Sequence, residues 1–315
     1  MPEGFKEIVG RSQPMREVYR QIRQAAGTDI PVLLIGETGT GKELVARSIH
    51  RRSQRSDGPF SAVNLGALPQ DLVASELFGH VRGAFTGATE EREGQFERAH
   101  DGTIFLDEIA SIPEKVQVSL LRLLERKQFQ RLGGQETIRT NARLVAASNA
   151  DLKDAVEEGE FREDLYYRLD VFRITLPPLR ERPDDIPLLI EEFLKRYNNQ
   201  FDKNVRGISP ECVALLEERD WPGNVRELKN AIQRAVLVCE DDVLTRDNLP
   251  PRFRKEDENN NPSVSFKVGT PMEEIEREMI IRTLEYTRNN RSKAARLLDI
   301  SRKTLYNKMD KYRIE

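Results

Sequence analysis

The 315-residue sequence is poor in the side chains that form disulfide scaffolds and metal centres. Its two cysteines, Cys212 and Cys239, lie far apart in apolar helical patterns, which predicts buried free thiols instead of a disulfide or a metal-binding pair. The histidines are scattered along the chain, an arrangement that argues against a zinc site; they are His50, His80 and His100.

Long apolar runs are missing as well. No stretch approaches the roughly 20 apolar residues that a membrane helix needs, and the N-terminus lacks the pattern of a signal peptide. Hydrophobic residues nevertheless make up 38% of the chain, enough to bury a core, and the length is typical of about two domains. We therefore expect a soluble cytoplasmic protein that has no membrane partner.

Short apolar runs alternate with amphipathic stretches between residues 32 and 176. The runs VLLIG, FSAVNL, TIFLDE, RLVAASN and VFRITL predict an α/β fold with a five-stranded parallel sheet and crossover helices. A proline-rich segment ends the alternation, and only helical patterns follow it. We predict an α/β domain over residues 1–176, a helical domain over 177–250, a flexible linker over 251–271 and a compact helical unit over 272–315.

The segment GETGTGKE directly follows the apolar run VLLI and opens a helical pattern. It has the features of a P-loop, in which glycines let backbone N–H groups converge on phosphate oxygens, Lys42 reaches the β- and γ-phosphates, and the helix N-terminus adds its dipole. One position departs from the general motif, because Glu43 replaces the hydroxyl residue that normally binds magnesium, so the metal would be held by other groups or through water. The predicted nucleotide-binding residues of the loop are Gly36, Glu37, Thr38, Gly39, Thr40, Gly41, Lys42 and Glu43.

Polar side chains end three of the other predicted strands. The run GTIFLDE delivers Asp107 and Glu108 to the carboxyl end of a buried strand, the edge at which α/β sheets bind ligands. We expect Asp107 to hold Mg²⁺, directly or through water, and Glu108 to polarise the attacking water. Asn64 and Asn149 end two further strands in the same way, and beside a P-loop such side chains fit sensing of the γ-phosphate.

Together these motifs resemble those of the bacterial enhancer-binding proteins, AAA+ ATPases that activate the RNA polymerase carrying sigma-54. Glu43 matches this family, whose P-loop ends in Gly-Lys-Glu. The family's signature GAFTGA is present without change as Gly83, Ala84, Phe85, Thr86, Gly87 and Ala88. The resemblance extends from residue 8 to residue 315 and so covers essentially the whole chain.

The resemblance implies roles for matching residues around the nucleotide, with ATP and Mg²⁺ as the cofactors. Asn64 corresponds to the switch residue that restrains the catalytic Glu108, and Asn149 to the first sensor. Arg226, in the run WPGNVREL, corresponds to the second sensor. The segment that lines the adenine pocket contains Ile8 and Val9.

The resemblance also implies a homo-oligomeric ring, a hexamer that is dimeric when inactive. Arg162 and Arg168 match arginines that reach the ATP of a neighbouring subunit, where a cation inserted in trans stabilises the charge on the transferring phosphoryl group. Without the resemblance, these two arginines would be taken for surface salt-bridge residues.

The GAFTGA segment is a small, glycine-rich tip between two predicted helical stretches. We expect this tip to pack against nothing local, because its implied partner is the sigma-54 RNA polymerase, onto which Phe85 and Thr86 would press as the nucleotide state changes. A second loop, over residues 130–137, is expected beside it. A disordered surface insertion is the alternative explanation of this composition.

The end of the chain is basic. Residues 288–315 hold nine Lys/Arg and three Asp/Glu, a local balance of +6 in a chain of −3, which is typical of a phosphate-binding surface. The pattern predicts two helices around a tight turn at Asp299, with Ser301 capping the second, and it resembles the Fis-type helix-turn-helix of this family. Part of the preceding helix, residues 272–290, is expected to pair with another subunit. The implied partner is double-stranded enhancer DNA, contacted by Arg302, Lys303, Thr304, Tyr306, Asn307 and Lys308.

Two questions stay open at the level of sequence. The family usually carries an N-terminal regulatory domain and this chain begins almost at the ATPase, so it is either a natural form controlled by a separate regulatory protein or an excised fragment. Three functions also compete: a sigma-54 activator, a general AAA+ remodeller of another protein, and a DNA-binding regulator with a vestigial ATPase. The intact GAFTGA argues against the second function, and the third is disfavoured by the presence of Lys42, Asp107, Glu108 and Arg162.

Overall fold

The computed structural model describes residues 5, 7–254, 264, 266–267, 269–287, 290–312 and 314. The chain divides into two compact units, Met1–Arg254 and Lys255–Glu315. In the described residues, no helix combines the length and the apolarity that crossing a bilayer requires.

The first unit alternates strands with helices over most of its length. Its strands are β1 (Val32–Ile35), β2 (Phe60–Asn64), β3 (Gly79–His80), β4 (Arg92–Glu93), β5 (Thr103–Asp107), β6 (Gln128–Phe129), β7 (Ile138–Arg139), β8 (Arg143–Ser148), β9 (Arg173–Thr175), β10 (Gly207–Ile208) and β11 (Val243–Leu244). Its helices are α1 (Gln13–Ala26), α2 (Lys42–Arg51), α3 (Gln70–Phe78), α4 (Gln95–Arg98), α5 (Glu114–Arg126), α6 (Leu152–Glu157), α7 (Glu163–Leu169), α8 (Ile186–Phe201), α9 (Pro210–Glu217), α10 (Asn224–Val238) and α11 (Pro251–Arg254).

The central sheet is five-stranded and entirely parallel, in the order β2-β5-β8-β1-β9. These strands are the five runs that the sequence predicted, so the predicted α/β fold is confirmed. β1 lies in the interior of the sheet, between β8 and β9. Because the strands are parallel, their carboxyl ends share one edge, and the loops that follow β1, β2, β5 and β8 meet there.

Alternate residues of the central strands pack against opposite faces of the sheet. In β5, Ile104 and Leu106 belong to the core on one face, and Phe105 belongs to the core on the other. In β1, Leu33 faces the first of these cores and Leu34 faces the second. A parallel sheet that is covered on both faces buries nearly all its side chains, which explains why these strands are continuous apolar runs in the sequence.

The helical subdomain, residues 179–254, has a core of its own between α8 and α10. Trp221 is fully buried there, and its indole N–H donates to the Leu216 carbonyl oxygen at 2.7 Å. The predicted buried free thiols, Cys212 and Cys239, are confirmed in this core. α11 lies at the start of the predicted linker, and its Phe253 is buried in the same core. Most of the remaining linker falls outside the described residues, and the domain boundaries stay predictions.

The second unit consists of α12 (Met272–Tyr286), α13 (Arg291–Leu297) and α14 (Arg302–Tyr312). Between α13 and α14, Asp299 adopts a left-handed conformation with φ of 52°, as the tight turn requires. The Ser301 hydroxyl accepts a hydrogen bond from the Thr304 N–H at 3.1 Å, so the predicted cap is present. The predicted helix-turn-helix is confirmed, and its core is formed by Ile280, Leu284, Ala294, Ala295, Leu305 and Met309.

Candidate nucleotide site and interaction loops

The P-loop connects the carboxyl end of β1 to the N-terminus of α2. Gly41 ends the loop with φ of 105°, and Lys42 begins the helix. Gly39 has φ of 84°, and it approaches the helical subdomain so closely that a Cβ on it would lie 2.3 Å from the Gly223 carbonyl oxygen. The loop therefore lies where a helix N-terminus can bind phosphate, and position 39 has no room for a side chain.

The ammonium group of Lys42 is the central charge of the site. The residue is only 7% exposed, and its Nζ donates to the carbonyl oxygens of Gly36 at 2.6 Å and Glu37 at 3.3 Å. Burial lowers the pKa of Lys42, while the nearby carboxylates of Asp107 and Glu108 act in the opposite direction. The fold thus brings the P-loop cation together with the carboxylates that end β5.

Asp107 is the carboxylate that the sequence predicts to hold a metal ion. Burial raises the pKa of its carboxyl group, and the Lys42 ammonium partly offsets this rise. Glu43 is exposed on α2 and pairs with Arg47 at 2.7 Å. Magnesium at nucleotide sites is commonly bound by one or two carboxylates together with substrate phosphates, and Asp107 fits that arrangement. No group of three or more His, Cys, Asp or Glu side chains forms a metal site in the part of the chain that the structure describes, so phosphates and water would complete the coordination.

Glu108 follows Asp107 and adopts a left-handed backbone conformation with φ of 59°. Its carboxylate lies over Gly66, where an added Cβ would be only 1.8 Å from Oε2. The same Cβ position is 3.5 Å from Oδ1 of Asn64, which accepts from the N–H of Ala67 at 3.1 Å. Gly66 therefore leaves room for the Glu108 carboxylate beside Asn64, a role that no motif in the sequence indicated.

Asn149 follows β8, the strand that lies between β1 and β5. The Gly36 N–H donates to the Ser148 carbonyl oxygen at 3.2 Å, so Asn149 lies beside the start of the P-loop. Its side chain is exposed at this edge of the sheet. The position suits contact with a phosphate, and the role of sensor stays a prediction.

The helical subdomain reaches the P-loop at the N-terminus of α10. The Cβ of Arg226 lies 3.1 Å from the position of a Cβ on Gly39, and its charge adds to the lowering of the Lys42 pKa that burial causes. Glu37 was predicted as a nucleotide-binding residue, but its carboxylate faces the helical subdomain. Arg180 binds that carboxylate in a bidentate manner at 2.6 and 2.9 Å and holds the pKa of Glu37 below its usual range.

Ile8 and Val9 are buried, and their role in lining an adenine pocket stays a prediction. The Tyr19 hydroxyl of α1 donates to the Ile8 carbonyl oxygen at 2.9 Å. Arg182, which no sequence motif indicated, is buried against α1, and its Nη2 donates to the Thr40 carbonyl oxygen of the P-loop at 3.3 Å. These contacts make the N-terminal segment and the P-loop parts of one site.

The two arginines that were predicted to act in trans lie on the surface. Arg162 pairs with Asp164 at 2.7 Å and is partly exposed. Arg168 is exposed on α7, where its charge adds to the burial that lowers the pKa of Lys127. In the described residues, neither guanidinium contacts residues 36–43 of the same subunit. This placement is compatible with a contact to a neighbouring subunit.

The GAFTGA segment forms the tip of the loop that joins β3 to β4. Gly83 and Gly87 have φ of 82° and 102°, and a Cβ on either would meet no atom within 4 Å. The prediction that the tip packs against nothing local is wrong. The Phe85 and His80 rings make a T-shaped contact with 5.0 Å between their centroids, and Ala88 is buried. The loop folds back on its own stem, which leaves Phe85 38% exposed.

A second loop lies against the first, as predicted. The Leu132 carbonyl oxygen accepts from the Val81 N–H at 3.1 Å, and a Cβ on Gly133 would lie 2.9 Å from the Ala84 methyl group. Thr86, at the tip of the first loop, is exposed. The two loops are therefore joined near their bases, while the tip of the first stays accessible.

The predicted DNA-contacting residues lie on α14. Four of them are exposed, with spacings of one and four residues that place them on one face of the helix: Arg302, Lys303, Tyr306 and Asn307. Thr304 is partly buried, and its hydroxyl is bonded to that of Ser301 at 2.8 Å. Lys308 fits a phosphate contact less well than predicted, because Glu276 of α12 binds its ammonium at 2.5 Å.

Three protein families match the chain. Residues 8–175 match the "Sigma-54 interaction domain". Residues 180–265 match the "AAA+ ATPase lid domain", and residues 271–312 match "Bacterial regulatory protein, Fis family". The first match covers more than half of the chain and includes the P-loop, the carboxylates after β5 and the GAFTGA loop.

Similar proteins include bacterial regulators. The regulatory protein AtoC of Escherichia coli is 42% identical over 98% of this chain and 68% of its own length. The phenol regulator MopR of Acinetobacter guillouiae is 45% identical over 94% of this chain and 54% of its own. A crystal structure of NtrX from Brucella abortus in complex with ATP has a TM-score of 0.72 at 32% identity and covers 97% of this chain and 69% of that one. The chain thus spans only part of each of these relatives.

Replacing Gly66 by alanine tests the space around Glu108. The new methyl group would lie 1.8 Å from Oε2, so the carboxylate must move, whereas the P-loop and Lys42 are left in place. We expect Gly66→Ala to lower ATP turnover by at least about tenfold, because it would displace Glu108, the residue predicted to activate the attacking water. Nucleotide affinity should stay within about threefold of the parent, since the phosphate-binding groups are unchanged.

Phosphate release and a nucleotide titration measure these two quantities. Gly207→Ala is the matched control, because a Cβ at that position would meet nothing within 4 Å. Parent-like turnover in Gly66→Ala would show that Glu108 does not depend on this space.

Proposed function

The chain belongs to the family of sigma-54-dependent transcriptional activators, which carry an AAA+ ATPase and a Fis-type DNA-binding domain, and on that premise we propose that it uses ATP hydrolysis to convert the closed complex of the sigma-54 RNA polymerase into the open complex. The observation that carries this proposal is the GAFTGA loop. Its tip presents Phe85 and Thr86 between two glycines with open space around them. A contact loop of this kind on a nucleotide-binding unit supports the transmission of nucleotide state to a partner.

For hydrolysis we assign a task to each polar group at the sheet edge. Lys42 and the P-loop N–H groups bind the β- and γ-phosphates. Glu108 takes a proton from the water that attacks the γ-phosphorus, the bond to the β–γ bridging oxygen breaks, and ADP and inorganic phosphate leave. Magnesium, held at Asp107, would neutralise phosphate charge. The groups assigned to sensing the γ-phosphate are Asn64, Asn149 and Arg226.

We assign Arg162 and Arg168 to the ATP of the neighbouring subunit in a ring. Both lie on the surface, away from their own P-loop, and a cation supplied in trans stabilises the charge of phosphoryl transfer. Each catalytic site would then need residues of two subunits, which explains how the subunits of a ring could coordinate their turnover.

Mixing two inactive variants tests catalysis in trans. Lys42→Ala removes the P-loop cation, and Arg168→Ala removes the cation offered to the neighbour, so each alone should turn over ATP at least about tenfold more slowly. Mixed rings contain some interfaces that pair an intact Lys42 with an intact Arg168. We therefore expect measurable phosphate release from the mixture at equal total protein. If phosphate release at every mixing ratio stays at or below the sum of that of the separate variants, Arg168 acts within its own subunit or has only a structural role.

We also propose that α14 binds double-stranded enhancer DNA. Its exposed face carries two cations beside an aromatic ring and an amide, namely Arg302, Lys303, Tyr306 and Asn307. Cations on such a face neutralise backbone phosphates and release counterions, while the amide of Asn307 can bond to a base edge.

The salt dependence of the affinity for a mixed-sequence DNA duplex tests this surface. Affinity should fall steeply with salt, and Lys303→Ala should reduce the slope of log affinity against log salt by about 1. Lys308→Ala should change the slope less, since Glu276 already binds that ammonium. Fluorescence anisotropy gives the affinities. A slope that is the same in the parent and in Lys303→Ala would remove Lys303 from the contact surface.

Phe85→Ala tests whether the GAFTGA loop couples ATP hydrolysis to the contact with sigma-54. The residue contacts His80 and no phosphate-binding group, so ATP turnover should stay within about threefold of the parent. Binding to sigma-54 in the presence of ADP–aluminium fluoride should weaken by about thirty- to a hundredfold, because burying a phenylalanine contributes about 2–3 kcal/mol. Open-complex formation at a sigma-54 promoter should be lost.

Leu72→Ala is the control, because Leu72 is also exposed and lies outside the loop, on α3. Normal binding of sigma-54 by Phe85→Ala would refute the proposed contact. A loss of ATP turnover in the same variant would instead assign the loop to catalysis or to ring assembly.

A further inference from the structure

Asn224 joins the P-loop to the helical subdomain through a single side chain. It is the first residue of α10 and is 0% exposed. Its Oδ1 accepts from the Leu179 N–H at 2.8 Å. Its Nδ2 donates to the Thr38 carbonyl oxygen at 3.0 Å and to Oε2 of Glu37 at 3.1 Å. One carboxamide therefore bonds to the segment that leads into α8 and, at two points, to the P-loop.

The position requires a carboxamide. A buried polar group that loses its partner destabilises the fold, so a replacement has to offer both a donor and an acceptor in the same place. An aspartate has the same shape but only accepts when ionised, and it would face the Thr38 carbonyl oxygen and the Glu37 carboxylate. The backbone adds a second restraint, because Asn224 has φ of 50° and its N–H donates to the Trp221 carbonyl oxygen at 2.7 Å.

An exposed ion pair also links the P-loop to the helical subdomain, and it is weaker than a buried contact. Arg180 and Glu37 form an ion pair at 2.6 Å, but their side chains are 41% and 40% exposed. Exposed ion pairs contribute little to stability and are screened by salt. Asn224 is buried, so its hydrogen bonds to the P-loop are shielded from solvent and are not screened in this way.

We propose that Asn224 is a positioning residue for ATP hydrolysis, which holds the N-terminus of α10 in register with the P-loop. Arg226 lies two residues further along the same helix, close to Gly39, so this register determines where its guanidinium meets the phosphates. A displacement of the helical subdomain would pull directly on the backbone at Thr38. The inference rests on the proposed ATPase function and adds a residue that couples the two subdomains.

Asn224→Asp tests the proposal by removing the donor while keeping the size of the side chain. We expect kcat for ATP to fall by at least about tenfold, which corresponds to about 1.4 kcal/mol of the barrier. KM should change by less than about threefold, because Lys42 still binds the phosphates. Asn230→Asp is the matched control, since it makes the same change at an exposed position of the same helix, and it should keep the kcat of the parent.

A second substitution that restores kcat distinguishes a positioning role from a role limited to stability. Adding Glu37→Gln to Asn224→Asp supplies an amide donor opposite the new carboxylate and should restore kcat by at least about threefold over the single variant, as coupled neighbours do. A role limited to stability predicts a lower melting temperature without this recovery of kcat. If Asn224→Asp does not fold, Asn224→Ser, whose single hydroxyl is too short to bond to Leu179 and Thr38 at once, provides the same comparison of kcat with KM.

Two results would overturn the inference. The first is a kcat in the Asn224 variant that equals that of Asn230→Asp. The second is a double variant that is no more active than Asn224→Asp alone. A parent chain that fails to hydrolyse ATP would instead overturn the proposed function, so the two failures are distinguishable.

Discussion

A buried ammonium group determines how the ATPase part of this protein is built. Removing a charge from water is unfavourable unless hydrogen bonds and opposite charges replace the solvent. For Lys42 the carbonyl oxygens of Gly36 and Glu37 accept hydrogen bonds at 2.6 and 3.3 Å, and Asp107 and Glu108 supply the opposite charge. Those carboxylates lie near Lys42 because β5 and β1 run parallel and end at the same edge of the sheet. The parallel direction of the strands is therefore what places opposite charge beside the buried ammonium group.

The parts of the site that follow local rules could be predicted from the sequence. The P-loop spacing and the polar residues after apolar runs placed Lys42, Asp107 and Glu108 correctly at one edge of the sheet, because strand ends and helix starts leave short-range patterns. Gly66 and Asn224 could not be found in this way. Each acts through contacts with residues far away in the chain, and no spacing within either segment records what lies opposite it in the fold.

For charged residues too, the sequence alone does not identify the partner in the fold. The type of a side chain indicates what it can bind, but the nearest opposite charge in the folded chain decides what it does bind. Glu37 lies in the P-loop, yet its carboxylate pairs with Arg180, 143 residues away. Lys308 lies on the basic helix α14, yet its ammonium pairs with Glu276 of α12. Such pairings depend on residues far away in the chain, so the sequence around a charged residue does not identify its partner.

Glycine serves different purposes in the nucleotide site and in the GAFTGA loop. At Gly39 and Gly66 a side chain would collide with neighbouring atoms, so the absence of a Cβ lets parts of the nucleotide site approach closely and move together. At Gly83 and Gly87 a side chain would meet nothing, and packing at these positions does not resist movement of the backbone. The tip also makes local contacts, of the Phe85 ring with His80 and of Ala84 with Gly133 of the second loop. The tip is therefore packed more loosely at its glycines than the nucleotide site is, and the proposed transmission of nucleotide state to sigma-54 would move the tip by breaking these local contacts.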